Sequence, residues 1–341
     1  MCDHIALGFN QNFISARQLD LGFDIPTDVC FVPRNQEFPL LPPVHNPLKW
    51  RNQYSFVAVG VPHPGNNKVT YYVDGLNEKG LSVGALTLAG TQYSESGAKL
   101  SIYYVDFAGW LLGRFESVAE VESRLADIAV IGFTGNNPPG AAVAFLDLHF
   151  IVSDATGHHL VIEFTNGAMH THRSENGVMT NAPTYDWQLA NLNNYFRLTP
   201  RNSPEKFGGE EVGGTGLFGL PGDPTPASRF VRLTQMAKSV YAPKNTQEEV
   251  GLAVQILKTT SIPFGSCLTS NGHLDAQSQW ITVRDLTRRI FYFASAFNPS
   301  LYRVNLDELK SSPVSRQISL QQTNWYQDVT SQFLDKKALS A

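Results

Sequence analysis

The chain has 341 residues, 42% hydrophobic and 16% charged, with a net charge of -4. This composition describes a globular protein with ample core and excludes a disordered chain. The slight acidity excludes the basic face that nucleic acid needs, and no apolar run approaches the length of a membrane span.

In chain order, residues 4–9 and 13–19 read as two strands joined by the polar turn Asn10-Gln11-Asn12. Asp20 ends the second strand. Arg17 and Asp20 are three apart, so a regular strand points them to opposite faces. Both reach one point only if the chain bends near Leu19-Asp20, where Gly22 is permissive. Cys30–Pro33 is a short strand, and 38–50 is a proline-rich extended connection. Tyr54–Val61 and Lys68–Val73 form a hairpin. The stretch 74–87 is a Gly-containing turn followed by a strand of small residues, which lets a neighbour come close.

Residues 101–114 carry Tyr103, Phe107, Trp110 and Leu111 at helical spacing. Ser117 and Glu120 form a capping box that opens a second helix through about Ile128. Strands follow over 141–153, 159–165, 170–173 and 177–180, ended by Asn181-Ala182-Pro183. Residues 200–226 are a Gly- and Pro-rich loop, and a loop of that length is more often functional or interfacial than idle. Helices are expected over 227–241 and 246–258, the second capped by Thr246 and Glu249. A last hairpin spans 279–286 and 289–295, and one more strand runs over 301–306. Strands and helices come in blocks rather than in βαβ alternation, which favours an α+β fold of antiparallel sheets with helices packed outside, in one domain.

Several motifs lead nowhere. Gly214-Thr215-Gly216-Leu217-Phe218-Gly219 matches G-x-G-x-x-G, but Pro221-Gly222 blocks the helix that a pyrophosphate would need. His170 and His172 share a strand face without a carboxylate or cysteine to complete a metal site, and His158-His159 sits at a hairpin turn. No Gly-x-Ser-x-Gly elbow is present.

The three cysteines, Cys2, Cys30 and Cys267, have neither disulfide-framework nor zinc-ligand spacing. They fit a reducing compartment, and the N-terminus shows no secretory signal, so a cytoplasmic protein is expected. Cys2 stands out by position. If Met1 is removed, it carries a thiol and a free α-amine whose reference pKa is about 7.7–8.0, so the amine can serve as base for its own side chain. Asn181, at a strand end, is a candidate oxyanion donor. Arg229 is an unusual cation in a first helical turn.

Cys2 followed by Ala16-Arg17-Gln18-Leu19-Asp20, then Asp74–Leu81, Thr180–Trp187 and Gly219–Phe230, resembles the choloylglycine hydrolase and penicillin V acylase family. The four motifs occur in family order over nearly the whole chain. The resemblance implies an N-terminal-nucleophile (Ntn) hydrolase with an αββα sandwich over residues 2–341, Met1 removed, cutting a linear non-peptide amide through an acyl-thioester. It further implies that Arg17 sits by the thiol and favours the thiolate, that Asp20 holds the α-amine, and that Asn181 donates to the oxyanion. Arg229 supports the nucleophile, and the 87 position offers a backbone N–H. No metal or organic cofactor is called for.

The 87 position is usually Asn in bile-salt hydrolases and often Tyr in penicillin V acylases; here it is Thr87, so the side-chain clue to substrate is lost. Conjugated bile salts and penicillin V are the leading substrates, with N-acyl-homoserine lactones or other N-acyl amides third. The acyl pocket is expected from Phe23, Ile25, the 54–64 hairpin and the 135–142 loop. A homotetramer is implied, with the 200–222 segment in the assembly. The competing class is a catalytically silent Ntn-fold binding protein that keeps Met1.

Overall fold

The computed structural model describes residues 1–38, 44–63, 66–133, 146–298, 300–323 and 325–330, with backbone only for 63 and 66–69. Within them the chain forms β1 (Cys2–Phe9), β2 (Asn12–Leu21), β3 (Asp28–Val32), β4 (Phe56–His63), β5 (Asn66–Asn77) and β6 (Ser82–Thr87). Next come β7 (Leu100–Tyr103), α1 (Tyr104–Arg114), α2 (Val118–Leu125), β8 (Ile128–Ile131), β9 (Leu148–Ser153), β10 (His159–Thr165), β11 (Ala168–Arg173) and α3 (Tyr185–Leu192). The remainder is β12 (Lys206–Phe207), β13 (Glu210–Glu211), α4 (Pro226–Ser239), α5 (Thr246–Lys258), β14 (Gln277–Asp285), β15 (Ile290–Ser295), β16 (Tyr302–Asn305), α6 (Leu306–Leu309) and β17 (Arg316–Ser319).

Two large sheets lie face to face. One has five strands in the order β1-β2-β14-β15-β16, and the other eight in the order β11-β10-β9-β6-β5-β4-β3-β17. Neighbouring strands in both run antiparallel. Helices α4 and α5 pack on the outer face of the five-stranded sheet, and α1 and α2 cover the eight-stranded one. This is the expected αββα sandwich. One apolar cluster sits between the eight-stranded sheet and α1, including Phe107, Leu111, Phe150 and Phe164. A second joins the inter-sheet space to the undersides of α4 and α5, including Val59, Ile151, Phe230 and Leu257.

Local chemistry explains the first hairpin. Asn10 and Gln11 both take positive φ, 47° and 66°, the two-residue turn whose twist matches that of the flanking strands. Phe9 therefore pairs with Asn12, and the ladder runs without a slip to Cys2 opposite Leu19. Gly80 closes the β5–β6 turn at φ +87°, where a side chain would also collide with the Leu286 carbonyl.

Some expected bounds move. Residues 101–103 are the end of β7 rather than helix, because β7 pairs in parallel with β8, which begins at Ile128, the residue given above as the end of the second helix. The Ser117 cap is as expected, its side chain accepting from Glu120 N–H. The α5 cap lies one residue earlier than read: Asn245 accepts from Glu248 N–H at 2.9 Å. Glu249, given to that cap, is buried and paired with Asn12 and Arg288. Residues 177–180 form no strand; Met179 makes an isolated bridge to His4 on the free edge of β1. Strand β9 is described from Leu148, so residues 141–145 of the expected strand, like the whole of the 135–142 loop, lie outside the described residues. Among the described residues no helix is long and apolar enough to cross a membrane.

Candidate active site

The β1–β2 register sorts the N-terminal residues onto two faces. Cys2, His4, Arg17 and Leu19 share the face toward the eight-stranded sheet, and Asp3, Gln18 and Asp20 share the face toward α4 and α5. Strand β2 stays paired to Leu21, with a bulge in β14 opposite Leu19 and Asp20. Arg17 and Asp20 therefore approach the N-terminus from opposite sides.

On the inner side, Arg17 Nη2 stands 3.5 Å from Cys2 Sγ, and both residues are buried. The guanidinium is fixed by Val73 carbonyl oxygen at 3.2 Å, by Asp74 Oδ2 at 3.8 Å and by the Trp280 ring 4.8 Å below it. Gly84 lies beside it, where a Cβ would stand 3.4 Å from Arg17 Cδ, which is why small residues suit β6. Asp74 also pairs with the buried Arg284 and accepts from Thr282 Oγ1 at 3.1 Å. Two guanidinium groups thus share one carboxylate next to the thiol. His4, against Gly177 carbonyl oxygen at 2.9 Å, has its pKa held well below the usual histidine value, first by burial and then by Arg284.

At the free edge of β1, the Met179–His4 bridge delivers Asn181 to Cys2. Asn181 Oδ1 accepts from Cys2 N–H at 2.9 Å and from Arg229 Nη2 at 2.7 Å. Its Nδ2 donates to the Thr87 carbonyl oxygen at 2.7 Å and lies 2.9 Å from Thr87 Oγ1. Thr87, the last residue of β6, is thereby brought within one amide group of the Cys2 backbone. Arg229, on the first turn of α4 and fully buried, donates to the Cys2 carbonyl oxygen at 2.9 Å, to the Pro224 carbonyl oxygen at 2.9 Å and to the Asp3 carboxylate. The cation that looked misplaced near a helix N-terminus is thus neutralised by Asp3.

On the outer side, Asp20 Oδ1 accepts from Gln18 Nε2 at 3.0 Å and Ser278 Oγ at 2.7 Å. Its Oδ2 is buried without a partner among the described residues. The Asp20 backbone pairs with Met1: the terminal amine donates to Asp20 carbonyl oxygen, and Asp20 N–H donates to Met1 carbonyl oxygen at 2.8 Å. Burial, then the nearby Asp3 charge, push the Asp20 carboxyl up to about 6, with Arg229 opposing.

Because that value lies above the unfolded carboxylate range of about 3.9, Asp20 contributes stability that is complete below about pH 4. The contribution is lost as pH rises through about 6. In the Met1-bearing chain, Asp20→Asn is expected to flatten the pH dependence of the thermal midpoint between pH ~4 and ~7. Equal slopes in the two proteins would contradict the shift.

Cys2, Arg17, Asn181, Thr87 and Arg229 thus converge, and Asp20 reaches the N-terminus through its backbone. Sequence reasoning missed Asp3 and Arg284. Asp3 had a signal, since a carboxylate two residues from the chain start on the face of α4 is the natural partner of a buried Arg229. Arg284 had none, because an arginine in an alternating strand reads as solvent-facing.

A four-layer αββα sandwich that buries a cysteine at the head of its first strand, between an arginine and an asparagine, has the architecture of an N-terminal-nucleophile hydrolase. Residues 2–315 match the family described as linear amide C–N hydrolases, choloylglycine hydrolase family, and the chain belongs to it. A bile salt hydrolase/transferase of Clostridium perfringens is 29% identical, over 95% of this chain and 100% of that protein. A penicillin V acylase of Pectobacterium atrosepticum is 28% identical, over 88% of this chain and 78% of that protein. Among solved structures, a variant of conjugated bile acid hydrolase from Clostridium perfringens superposes with a TM-score of 0.83 at 26% identity, covering 96% of this chain and 100% of that one. Penicillin V acylase from Agrobacterium tumefaciens gives 0.75 at 25% identity, covering 94% and 92%.

Proposed function

We propose that the chain is an N-terminal-cysteine amidohydrolase acting on conjugated bile salts, with Cys2 as nucleophile once Met1 has left. The observation that carries this reading is the pair of contacts on Cys2: the Arg17 guanidinium at its sulfur and the Asn181 amide at its nitrogen. The Cys2 thiol gives its proton to the free α-amine, and the sulfur attacks the amide carbonyl carbon as an anion, with Arg17 supplying positive charge beside it. Asn181 Nδ2 turns from Thr87 to the oxyanion, joined by the Thr87 backbone N–H. The Cys2 α-amine, held by Asn181 Oδ1 and Asp20, passes a proton to the leaving amine as the C–N bond breaks. Water then hydrolyses the thioester, returning the thiol and releasing the acid.

The bile salt reading is supported by the named activities of the relatives. Penicillin V is the second reading, favoured by the acylases that match at similar identity. Release of glycine or taurine from conjugated bile salts, run beside release of phenoxyacetate from penicillin V, decides between them. Release from neither overturns both.

Asn181→Ala is expected to lower kcat by about 10²–10³ with little change in KM, since a removed oxyanion donor acts on the transition state. Steady-state kinetics check this, and a rise in KM at constant kcat contradicts it.

The proposal includes a cytoplasmic homotetramer. A free thiol nucleophile persists in a reducing compartment. Phe207 and Phe218 are 83% and 91% exposed along the segment that the family reading assigns to assembly, and Phe196, just before it, is 74% exposed. Bare aromatic side chains of this size are characteristic of surfaces that meet a partner. Sedimentation is expected to give four chains per particle; a monomer contradicts it.

A further inference from the structure

The segment that carries Asn181 hangs from a buried polar pair that the proposed reaction does not use. His149 on β9 and Glu163 on β10 stand one register step beyond the Phe150–Ile162 pair, directly across the strands from each other. Both are buried. His149 Nδ1 lies 3.1 Å from Glu163 Oε1, and His149 Nε2 lies 3.0 Å from the Thr180 carbonyl oxygen. Glu163 Oε1 and Oε2 accept the backbone N–H of Tyr185, the first residue of α3, at 3.1 and 3.0 Å. One cross-strand couple therefore pins residues 180 and 185, the two ends of the turn that holds Asn181.

The couple also adjoins the other half of the site. His149 is the cross-strand partner of Leu86, the residue before Thr87. The same side chain thus fixes the backbone just before Asn181 and lies beside the strand whose end Asn181 Nδ2 contacts. Burying an imidazole and a carboxylate in a wall of aliphatic and aromatic residues carries a desolvation cost that an apolar pair would avoid. A pair serving only the sheet would have no need to spend its second ring nitrogen on Thr180. We propose that His149, oriented by Glu163, is a positioning residue that sets the Asn181 amide between Cys2 and Thr87 for oxyanion binding. This rests on the reading of Cys2 as nucleophile and Asn181 as oxyanion donor.

The test compares two reactions of the Met1-free protein that need no knowledge of the natural amide. Acylation by p-nitrophenyl acetate, read as a nitrophenolate burst, passes through an oxyanion. Alkylation by iodoacetamide, read by mass spectrometry of the N-terminal peptide, does not. His149→Ala is expected to slow the acylation burst roughly 10- to 100-fold, the scale of a misplaced catalytic group, while alkylation stays within about twofold. His149→Gln keeps a donor in the same space and is expected to recover most of the loss, with a burst within roughly tenfold of wild type but still slower.

A wild-type burst rate in His149→Ala overturns the proposal, and so does a parallel fall of acylation and alkylation. If His149→Ala does not fold, the comparison is read on His149→Gln, where a burst at the wild-type rate overturns it. A Cys2→Ala control separates the two readings: a burst that survives there removes the nucleophile itself, whatever the His149 variants show.

Discussion

Cys2→Ser is expected to lose on the order of 10³-fold or more in amide turnover, because a hydroxyl at this place is far less ionised than a thiol near pH 7. The loss belongs in kcat. The serine is nearly isosteric, and Arg17 and Asn181 keep their positions around it, so the fold and the thermal midpoint are expected to stay close to wild type. Amide turnover measured beside thermal denaturation checks both halves. Wild-type turnover in the serine variant contradicts the assignment of the nucleophile. An equal collapse of activity and folding points instead to a structural role for the cysteine.

The second large effect falls on stability. Arg229 and Asp3 are both fully buried, and their ion pair ties α4 to the head of β1. Replacing Arg229 by methionine leaves the Asp3 carboxylate buried without its cation, and its Oδ2 already lacks a partner among the described residues. Breaking one side of a buried pair costs about 3–5 kcal/mol. That is a large share of the roughly 5–15 kcal/mol by which folded domains are stable, and the thermal midpoint is expected to fall on the order of 10 °C. Adding Asp3→Asn to Arg229→Met removes the stranded charge and is expected to restore part of the loss. If the double variant is no more stable than the single one, the pair is not what holds α4 against β1. Activity is not expected to return with stability, since Arg229 also holds Asn181 Oδ1.

The layer order was legible because strands and helices come in blocks, and the first hairpin because Asn10 tolerates the positive φ its turn requires. What escaped was set by tertiary partners. Residues 101–103 have a helix-compatible pattern, yet they pair with Ala129–Ile131. Nothing local distinguishes that parallel edge from the end of a helix. Likewise 177–180 alternates like a strand but makes only one bridge, to a strand of the other sheet, and that bridge is what places Asn181.

Arg17 and Asp20 show the converse. The spacing of three placed them on opposite faces, and they lie there; a bend was needed only on the assumption that both side chains must meet Cys2 on one side. In the structure the thiol lies on the Arg17 face, while the chain terminus runs along the backbone of Asp20. The family motifs located Cys2, Asn181 and Arg229, but not the Asp3 and His149 side chains that hold them. Supporting residues look like ordinary buried polar groups until their partners are known.

With Met1 in place the nitrogen of Cys2 is an amide, which donates to Asn181 and has no lone pair free to take a proton. On the proposed mechanism the active enzyme therefore begins at Cys2. Intact-protein mass spectrometry on material of measured specific activity tests this directly. Activity is expected to scale with the fraction of chains lacking Met1, and the acyl group from a stalled turnover to be found on the Cys2 sulfur. Full activity in protein that retains Met1 would contradict it.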